Sequence, residues 1–282
     1  MCLNKMNLKI ITSALSLLII IGLLPIKLFS QKEIKVTARG SYEARDLTLE
    51  EVKNKAIDEA KKNAMVKAGI SENVKVSDFL YTFEDDEKFK EIFQSFVSTE
   101  TGAEIMVEEV RELKRDINEF GNILIEVEIS SVIFKHEDKK DPTFVIKVDG
   151  IRENYLEEDP LDFSFTPSKD GYLKIFNVTD ETSFILYPYN DPAYGYLKDD
   201  PERIFIKNDK VHFPVNQNMD GYYFGIDNEV KEKEYNLLIF VFTKDNIPFM
   251  DDVKVNNIMK WIYQIPLEER VVEQYGIVVK RK

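Results

Sequence analysis

Residues 48–69 read TLEEVKNKAIDEAKKNAMVKAG, and this segment carries the clearest helix signal in the chain. Thr48 and Glu51 have the spacing of a capping box, which predicts a helix that begins at Leu49. Gly69 stands where helices commonly end in a left-handed residue. Apolar side chains, mostly alanine, recur at steps of three or four, at Leu49, Val52, Ala56, Ala60, Ala64 and Ala68. An alanine-rich face of this kind predicts a helix that lies close on a sheet.

The segments around this helix alternate apolar and polar side chains, which is typical of half-buried strands. Residues 33–39 show this alternation, and Gly40 is predicted to end that strand. Further elements are predicted, in chain order, as a strand over 74–83, a helix over 85–98 and a β-hairpin of strands 105–113 and 123–133. The order β-α-β-α-β-β predicts an α+β domain over residues 33–135, with two helices layered on a largely antiparallel sheet.

A charged run ending in proline, residues 136–142, is the predicted linker between two domains. Beyond it, short aromatic segments alternate with turn signals at about ten-residue spacing, which is the pattern of a β-sandwich. The predicted strands are 144–148, 161–165, 172–178, 184–187, 203–206, 237–242 and 275–280, with a hairpin turn at 169–171 and a helix at 255–262. The sequence therefore predicts a second domain, residues 143–282, that combines a mainly antiparallel β-sandwich with a C-terminal helix.

The first 30 residues have the organisation of a secretory signal peptide. Lys5 and Lys9 precede an apolar run over residues 10–24, and Ser30 stands just before the polar chain. The run is shorter than the roughly 20 residues that a membrane span needs, although an uncleaved anchor is the alternative. Cys2 precedes the run and would leave with the signal. We expect an exported protein, periplasmic or secreted, that meets the membrane only through its signal peptide before cleavage.

The composition excludes several classes of protein. An apolar fraction of 44% and a charged fraction of 32% in 282 residues allow a sizeable core. The net charge of -13 argues against a nucleic-acid partner, which would need basic surface to meet phosphate. One cysteine and two histidines leave little scope for thiol or transition-metal chemistry. We therefore expect no cofactor, no metal and no catalytic residue.

A loop rich in tyrosine is the predicted binding site. Residues 187–196 read YPYNDPAYGY, and four tyrosines broken by two prolines and a glycine cannot all alternate into a core. Tyrosine rings anchor protein interfaces and stack on sugars, whereas the alternative is that they cover the end of the sandwich. The predicted binding residues are Tyr187, Tyr189, Tyr194, Tyr196, Tyr222 and Tyr223.

Acidic pairs and the two histidines are the remaining candidates for chemistry. The acidic residues at 199–202 and 251–252 lack the spacing of a calcium loop and are predicted to lie in solvated turns and helix caps. His136 and His212 have no G-x-S-x-G partner that would complete a hydrolase triad. These patterns favour a protein that is not an enzyme, and a hydrolase that uses two of these carboxylates is the alternative.

Asp170–Val178 reads DGYLKIFNV and is followed by Ile185–Pro188, which reads ILYP. These segments resemble the DUF4384 domain of bacterial envelope proteins, in which a strand of the pattern "dGYLkifnv" precedes an "iLyP" strand. Leu237–Phe242 corresponds to its closing core strand, and the likeness covers roughly residues 143–250.

In the first half, a predicted strand ends in glycine at Val36–Gly40, and an alanine-rich helix closes on Gly69 before a β-hairpin. This order resembles, more weakly, the N-terminal module of flagellar assembly protein T and the LPP20 lipoprotein group. The two resemblances imply an exported, non-enzymatic component of the cell envelope that docks to other envelope proteins. A carbohydrate-binding module that uses the tyrosine loop to hold a glycan is the alternative.

Overall fold

The computed structural model describes residues 32–70, 74–75, 96–99, 103–135, 140–179, 181–189, 199–215, 221–226 and 230–282. Strands dominate this part of the chain and pair almost entirely in antiparallel fashion, so the fold is a sheet-rich α+β fold. Residues Gln31–Lys282 form one compact unit. The predicted signal peptide and residues 136–139 of the predicted linker lie outside the described residues. Neither α-helix in the described part of the chain is long and apolar enough to cross a membrane.

The first half folds into one sheet with a helix on one face. Its elements are β1 (Lys32–Ala44), α1 (Leu49–Lys67), β2 (Val74–Lys75), β3 (Phe96–Thr99), β4 (Ala103–Ile117) and β5 (Ile123–Lys135). The strands lie in the order β1-β5-β4-β3-β2, and each neighbouring pair is antiparallel. The predicted β-hairpin is confirmed as β4 and β5, and each of these strands is longer than its alternating pattern indicates.

The ends of α1 are confirmed where the sequence predicts them. The backbone N–H of Glu51 donates to the Thr48 hydroxyl at 3.2 Å, and the N–H of Thr48 donates to the Glu51 carboxylate at 2.6 Å. Gly69 has a φ of 78°, and its N–H donates to the carbonyl of Val66 at 2.9 Å. Both ends are set by contacts within a few residues, which is why the sequence predicts them well.

The structure does not support the two-helix layer predicted for the first half, because the described residues place a single helix, α1, on this sheet. The end of the predicted second helix is strand β3, in which Phe96 pairs with Met106 and Ser98 with Glu104 of β4. Aromatic and β-branched residues suit a pleated strand as well as a helix face, and here the pairing with β4 decides. Residues 85–95 of that predicted helix lie outside the described residues, as do residues 76–83 of the predicted strand.

Gly40 does not end β1, which continues in register with β5 as far as Ala44. A Cβ atom at Gly40 would collide with the backbone of α1 at the Ala56 carbonyl oxygen and the Ala60 nitrogen. Ala56 and Ala60 are themselves fully buried. The helix therefore lies directly on the backbone of β1, and the glycine permits close approach instead of a turn.

The second half is built from short strands and one helix. Its elements are β6 (Ile146–Asp149), β7 (Asn154–Leu156), β8 (Pro160–Leu161), β9 (Phe163–Pro167), β10 (Tyr172–Thr179), β11 (Ser183–Tyr187), β12 (Val211–Phe213), β13 (Tyr222–Tyr223), β14 (Lys233–Thr243), α2 (Val255–Gln264), a 3-10 turn (Leu267–Glu269) and β15 (Arg270–Lys280). One sheet has the order β11-β10-β14-β15-β7, a second has the order β12-β9-β6, and β8 pairs with β13. The predicted C-terminal helix is confirmed as α2.

Two predictions for this half are wrong. Residues 203–206 form no strand, since Phe205 makes only an isolated bridge with Gly171. The turn at residues 169–171 does not join a hairpin, because β9 and β10 belong to different sheets. Gly171 instead lies against the ring of Phe242 and the carbonyl oxygen of Thr243, so the turn carries the chain from one sheet to the other.

The two larger sheets of the second half share one apolar core. Phe163 and Phe165 of β9 contribute to it from the three-stranded sheet, and Phe240 and Phe242 of β14 contribute from the five-stranded sheet. The rings of Phe163 and Phe240 meet edge to face with centroids 5.2 Å apart. Aromatic side chains at alternate positions of short strands therefore point into a shared core, as the sequence pattern predicts.

A second apolar core joins the two halves of the chain. Met106 of β4 and Phe134 of β5 pack in it with residues of α2, including Trp261 and Tyr263. The rings of Phe134 and Tyr263 have centroids 5.7 Å apart. The sheet of the first half thus has α1 on one face and contacts α2 on the other, and the division into two domains stays a prediction.

Candidate functional site

Tyr187, the first of the predicted binding residues, is buried at the end of β11. Its ring meets the ring of Phe205 with centroids 5.6 Å apart, and its hydroxyl donates to the carbonyl of Asp200 at 3.4 Å. Burial raises the pKa of the Tyr187 hydroxyl above its usual value. Only 2% of Tyr187 is exposed, so its ring packs in the core of the second half.

Tyr189 is half-buried, and a carboxylate holds its backbone. Its N–H donates to the Asp199 carboxylate at 2.8 Å, and its carbonyl accepts from the N–H of Asp199 at 2.9 Å. Burial raises the pKa of Asp199, and the hydrogen bond from Tyr189 opposes that shift. Asp199 therefore shapes the start of the tyrosine loop. Tyr194 and Tyr196 lie outside the described residues.

Tyr222 and Tyr223 lie side by side on β13, and their exposure differs. Tyr222 is half-buried and packs against Phe184 with ring centroids 5.8 Å apart, while its hydroxyl accepts from the side-chain amide of Asn177 at 3.2 Å. Tyr223 is 51% exposed. Tyr222 thus packs at one end of β11 and Tyr187 at the other, so the described tyrosines do not form one continuous surface.

His212 lies on strand β12 in a row of polar residues that crosses three strands. It pairs with Ser164 of β9, which in turn pairs with Asp149 of β6. A catalytic triad needs the imidazole between the hydroxyl and the carboxylate, whereas here the hydroxyl stands in the middle. The row therefore does not have the order of a hydrolase triad. Within the described ranges, no group of three or more His, Cys, Asp or Glu residues is arranged to hold a metal ion.

A cleft with a volume of about 330 Å³ lies alongside the first residues of β15. Residues Arg270–Gln274 form one wall, and the segment Lys140–Val145 forms a second wall. Glu104 of β4 and buried apolar side chains of α2, including Met259, form the floor. This volume lies at the lower end of the range for ligand-binding pockets. We refer to it below as the β15 cleft.

Backbone groups at the edge of β15 are open to this cleft. Near the C-terminal end of β15, the N–H of Val278 donates to the carbonyl of Glu153 beside β7 at 2.8 Å. The backbone N–H of Val278 therefore points away from β14. Because β15 pairs with β14 without a register shift, every second residue faces the same way, including Val272 and Gln274. In the part of the chain that the structure describes, the outward N–H and C=O groups of these two residues have no partner. Both residues line the β15 cleft.

The floor of the cleft contains a buried ion pair. Arg270 Nη2 lies 2.5 Å from Glu104 Oε2, and each side chain is 6% exposed. Arg270 Nε also donates to the carbonyl of Ile265 at 2.9 Å. Burial and the nearby Glu104 carboxylate raise the pKa of Tyr263 well above its usual value, while Arg270 opposes this shift. These groups hold the floor of the cleft together.

Asp141 fixes the second wall of the cleft. Its carboxylate accepts from the hydroxyl of Thr143 at 2.7 Å and from the N–H of the same residue at 2.9 Å. Lys169 Nζ lies 2.9 Å from it and Lys244 Nζ 3.1 Å. The Thr143 hydroxyl, followed by these other donors, holds the pKa of Asp141 well below its usual value. Since Lys244 follows β14 directly, this network ties the wall to the end of the central sheet.

Glu273 is the charged group in the wall of β15 that the fold leaves without a close partner. It is half-buried, and in the described chain its carboxylate makes no hydrogen bond or ion pair. Burial raises the pKa of its carboxyl group, and Lys140 of the second wall opposes the shift from a distance. The β15 cleft therefore combines open backbone groups, an apolar floor and an unpaired carboxylate.

Lys174 on β10 is a further titratable group with an altered pKa. Its Nζ lies 5.8 Å from the centroid of the Trp261 ring, and the residue is 8% exposed. Burial lowers the pKa of Lys174 to about 8. No carboxylate in the described ranges forms an ion pair with it.

We expect Lys174→Met to stabilise the fold by roughly 1–3 kcal/mol at pH 7, because it removes an unpaired buried charge. The unfolded chain binds its lysine proton more tightly than the folded chain. The gain in the free energy of unfolding should therefore be complete below pH 8, and it should vanish as the pH rises towards the ordinary lysine pKa of about 10.4. Urea unfolding of both proteins across this range measures the difference. Lys147→Met removes the same charge from a 75% exposed side chain and should change stability by less than about 0.5 kcal/mol.

The chain matches no protein-family model, no curated protein and no solved structure. Its resemblance to the DUF4384 domain and to the module of flagellar assembly protein T therefore stays a prediction. The fold and the geometry of the β15 cleft are what a proposal of function can rest on.

Proposed function

We propose that this chain is a non-enzymatic docking protein of the bacterial cell envelope, exported by the signal peptide at residues 1–30 and acting by reversible binding of other envelope proteins. In this proposal residues 33–135 form the module that resembles flagellar assembly protein T, and residues 143–282 form a β-sandwich of the DUF4384 kind with α2 packed on it. Export would deliver a chain that begins at Gln31, and the mass of the protein in an envelope fraction tests that start directly.

The observation that carries the proposal is the open edge of β15 beside a cleft. Sheet edges with unpaired backbone groups are templates for pairing with another chain, and natural proteins protect the edges that they do not use. β4 shows such protection, with register shifts at Val107/Glu109 and Glu112/Lys114 and a run of exposed charged residues between them. β15 pairs with β14 without any shift. An unprotected edge next to an apolar floor favours a docking site.

Photocrosslinking in the native envelope tests the proposal. A photoreactive benzoyl-phenylalanine at Val145, which is 45% exposed on the rim of the β15 cleft, should give a discrete adduct with another exported protein. The same group at Val230 is the control, because that residue is 88% exposed just before β14, at the other end of that strand from the cleft. The same adducts from both positions, or none from either, would contradict a docking role for the cleft. Adducts with glycan alone would favour the carbohydrate-binding alternative.

A further inference from the structure

We infer that the partner binds in the β15 cleft as an extended strand, which pairs with the backbone of Val272 and Gln274 and places a basic side chain against Glu273. This inference rests on the proposed docking function and names the chemistry of the partner. An extended peptide that joins a sheet edge gains main-chain hydrogen bonds for affinity and uses its alternate side chains for specificity.

The backbone geometry supports strand addition at this edge. β7 already pairs in parallel with the far end of β15, at residues 278–280, through the same side of the strand. The open groups of Val272 and Gln274 continue that line of donors and acceptors towards the 3-10 turn. A strand placed there would lie about 4.8 Å from β15, in the space that the cleft provides.

The two faces of β15 determine what the incoming side chains meet. Val272 packs against the core that contains Met259 and Ile262 of α2, whereas Glu273 points to the other face of the sheet. Residues directly opposite each other on neighbouring strands share a face. Alternate side chains of the partner would therefore meet an apolar floor and a carboxylate, so the expected partner segment alternates apolar and basic residues.

The charge of the site selects against a second copy of this chain. If two copies paired through β15, each would place Glu273 at the interface, and each chain carries a net charge of -13. Like charges across an interface are unfavourable, and a net negative surface attracts a basic partner over longer distances. Lys140 on the second wall is exposed and partly offsets Glu273, but it does not form an ion pair with it.

A synthetic probe peptide of alternating valine and lysine, amidated at its end and carrying a fluorophore, tests the inference by fluorescence anisotropy with the exported chain. A peptide of alternating valine and glutamate should not bind. Methylation of the backbone nitrogens that face β15 should weaken binding of the first peptide by about tenfold or more, since the hydrogen bonds that these nitrogens donate would be lost.

Matched protein variants separate charge from backbone pairing. Glu273→Gln should weaken binding of the valine–lysine peptide by about tenfold, whereas Glu268→Gln, an exposed carboxylate outside the cleft, should leave it unchanged. Val272→Pro removes one edge N–H and should also weaken binding. The methylated peptide also tests backbone pairing, and it does so without changing the protein. The inference can therefore be tested even if Val272→Pro misfolds.

The pH dependence gives a readout that a purely structural role of Glu273 would not produce. Binding needs the ionised carboxylate, so affinity should fall as acidification protonates Glu273, and Glu273→Gln should remove that fall. The neighbouring titratable groups are Lys140 on the second wall, Tyr275 on the same strand and Asp149 near Tyr275. Glu104 and Arg270 lie in the floor as an ion pair. The variant therefore isolates the contribution of Glu273 from theirs.

The outcomes separate the inference from the proposed function. A Val145 adduct together with binding that ignores backbone methylation and Val272→Pro would overturn strand addition and leave the docking function in place. No adduct and no peptide binding would overturn both. A concentration-dependent dimer in sedimentation analysis that Glu273→Gln strengthens would replace the basic partner with a second copy of the chain.

Discussion

Gly40→Ala is expected to destabilise the protein by about 3 kcal/mol or more, because a new Cβ atom would enter the backbone of α1. The carbonyl oxygen of Ala56 and the nitrogen of Ala60 lie in its way, and the Cα of Ala60 would be 2.9 Å from it. These are backbone atoms in the middle of a helix, so no side-chain rotation relieves the overlap. The helix would have to lift from β1 and uncover the core that Ala38 and Val52 share.

Urea unfolding of the variant and the wild type measures this effect. Gly225→Ala is the matched control, because a Cβ atom there would have no neighbour within 4 Å and the residue does not require a positive φ. It should change the free energy of unfolding by less than about 0.5 kcal/mol. If Gly40→Ala were as mild as this control, α1 would not lie directly on the backbone of β1.

The example of Gly40 shows how far the sequence predicts this fold. The ends of α1 follow from contacts between near neighbours, and the alanine-rich face correctly predicts close packing on a sheet. The place of closest approach depends instead on the pairing of β1 with β5 and on the path of α1 across both. Glycine in a strand therefore has two interpretations, an end or a close approach, and only the tertiary structure distinguishes them.

The segment at residues 203–206 shows a second limit. Phe205 is 1% exposed while Ile204 and Ile206 are 48% and 54% exposed, so side-chain burial alternates as it would in a strand. The backbone of this segment nevertheless makes only the isolated β-bridge between Phe205 and Gly171. A period of two predicts which side chain is buried, and it does not predict whether a neighbouring strand is present to pair with.

The β15 cleft could not be predicted from sequence patterns. Glu104, the segment Lys140–Val145 and Arg270 come together from distant parts of the chain, and none of them belongs to a motif. The tyrosine loop was predicted as the binding site because its composition is unusual, yet Tyr187 packs in the core. The sequence signal that was available is the pair of β-branched residues Val271 and Val272, which lie in the part of β15 that extends to Arg270.

Arg270→Met is expected to destabilise the protein by about 3–5 kcal/mol, the usual effect of removing one partner of a buried ion pair. Its guanidinium lies 2.5 Å from the Glu104 carboxylate, and methionine would remove this positive charge from beside a buried carboxylate. The hydrogen bond to the carbonyl of Ile265 would also be lost. The measurement is the free energy of unfolding in urea. Arg115→Met is the matched control, since its pair with Glu112 is exposed and should contribute little to stability.

The double variant Glu104→Met with Arg270→Met decides what the pair does. Two apolar side chains of similar size remove both charges, and replacements of this kind often restore stability. We expect the double variant to recover most of what Arg270→Met loses, because the cost of the single change lies in the stranded carboxylate. Glu104 belongs to β4 and Arg270 to β15, so the pair joins the sheet of the first half to the strand that presents the open edge. A double variant as unstable as the single one would mean that the ion pair itself positions β15, and peptide binding at the cleft should then be lost as well.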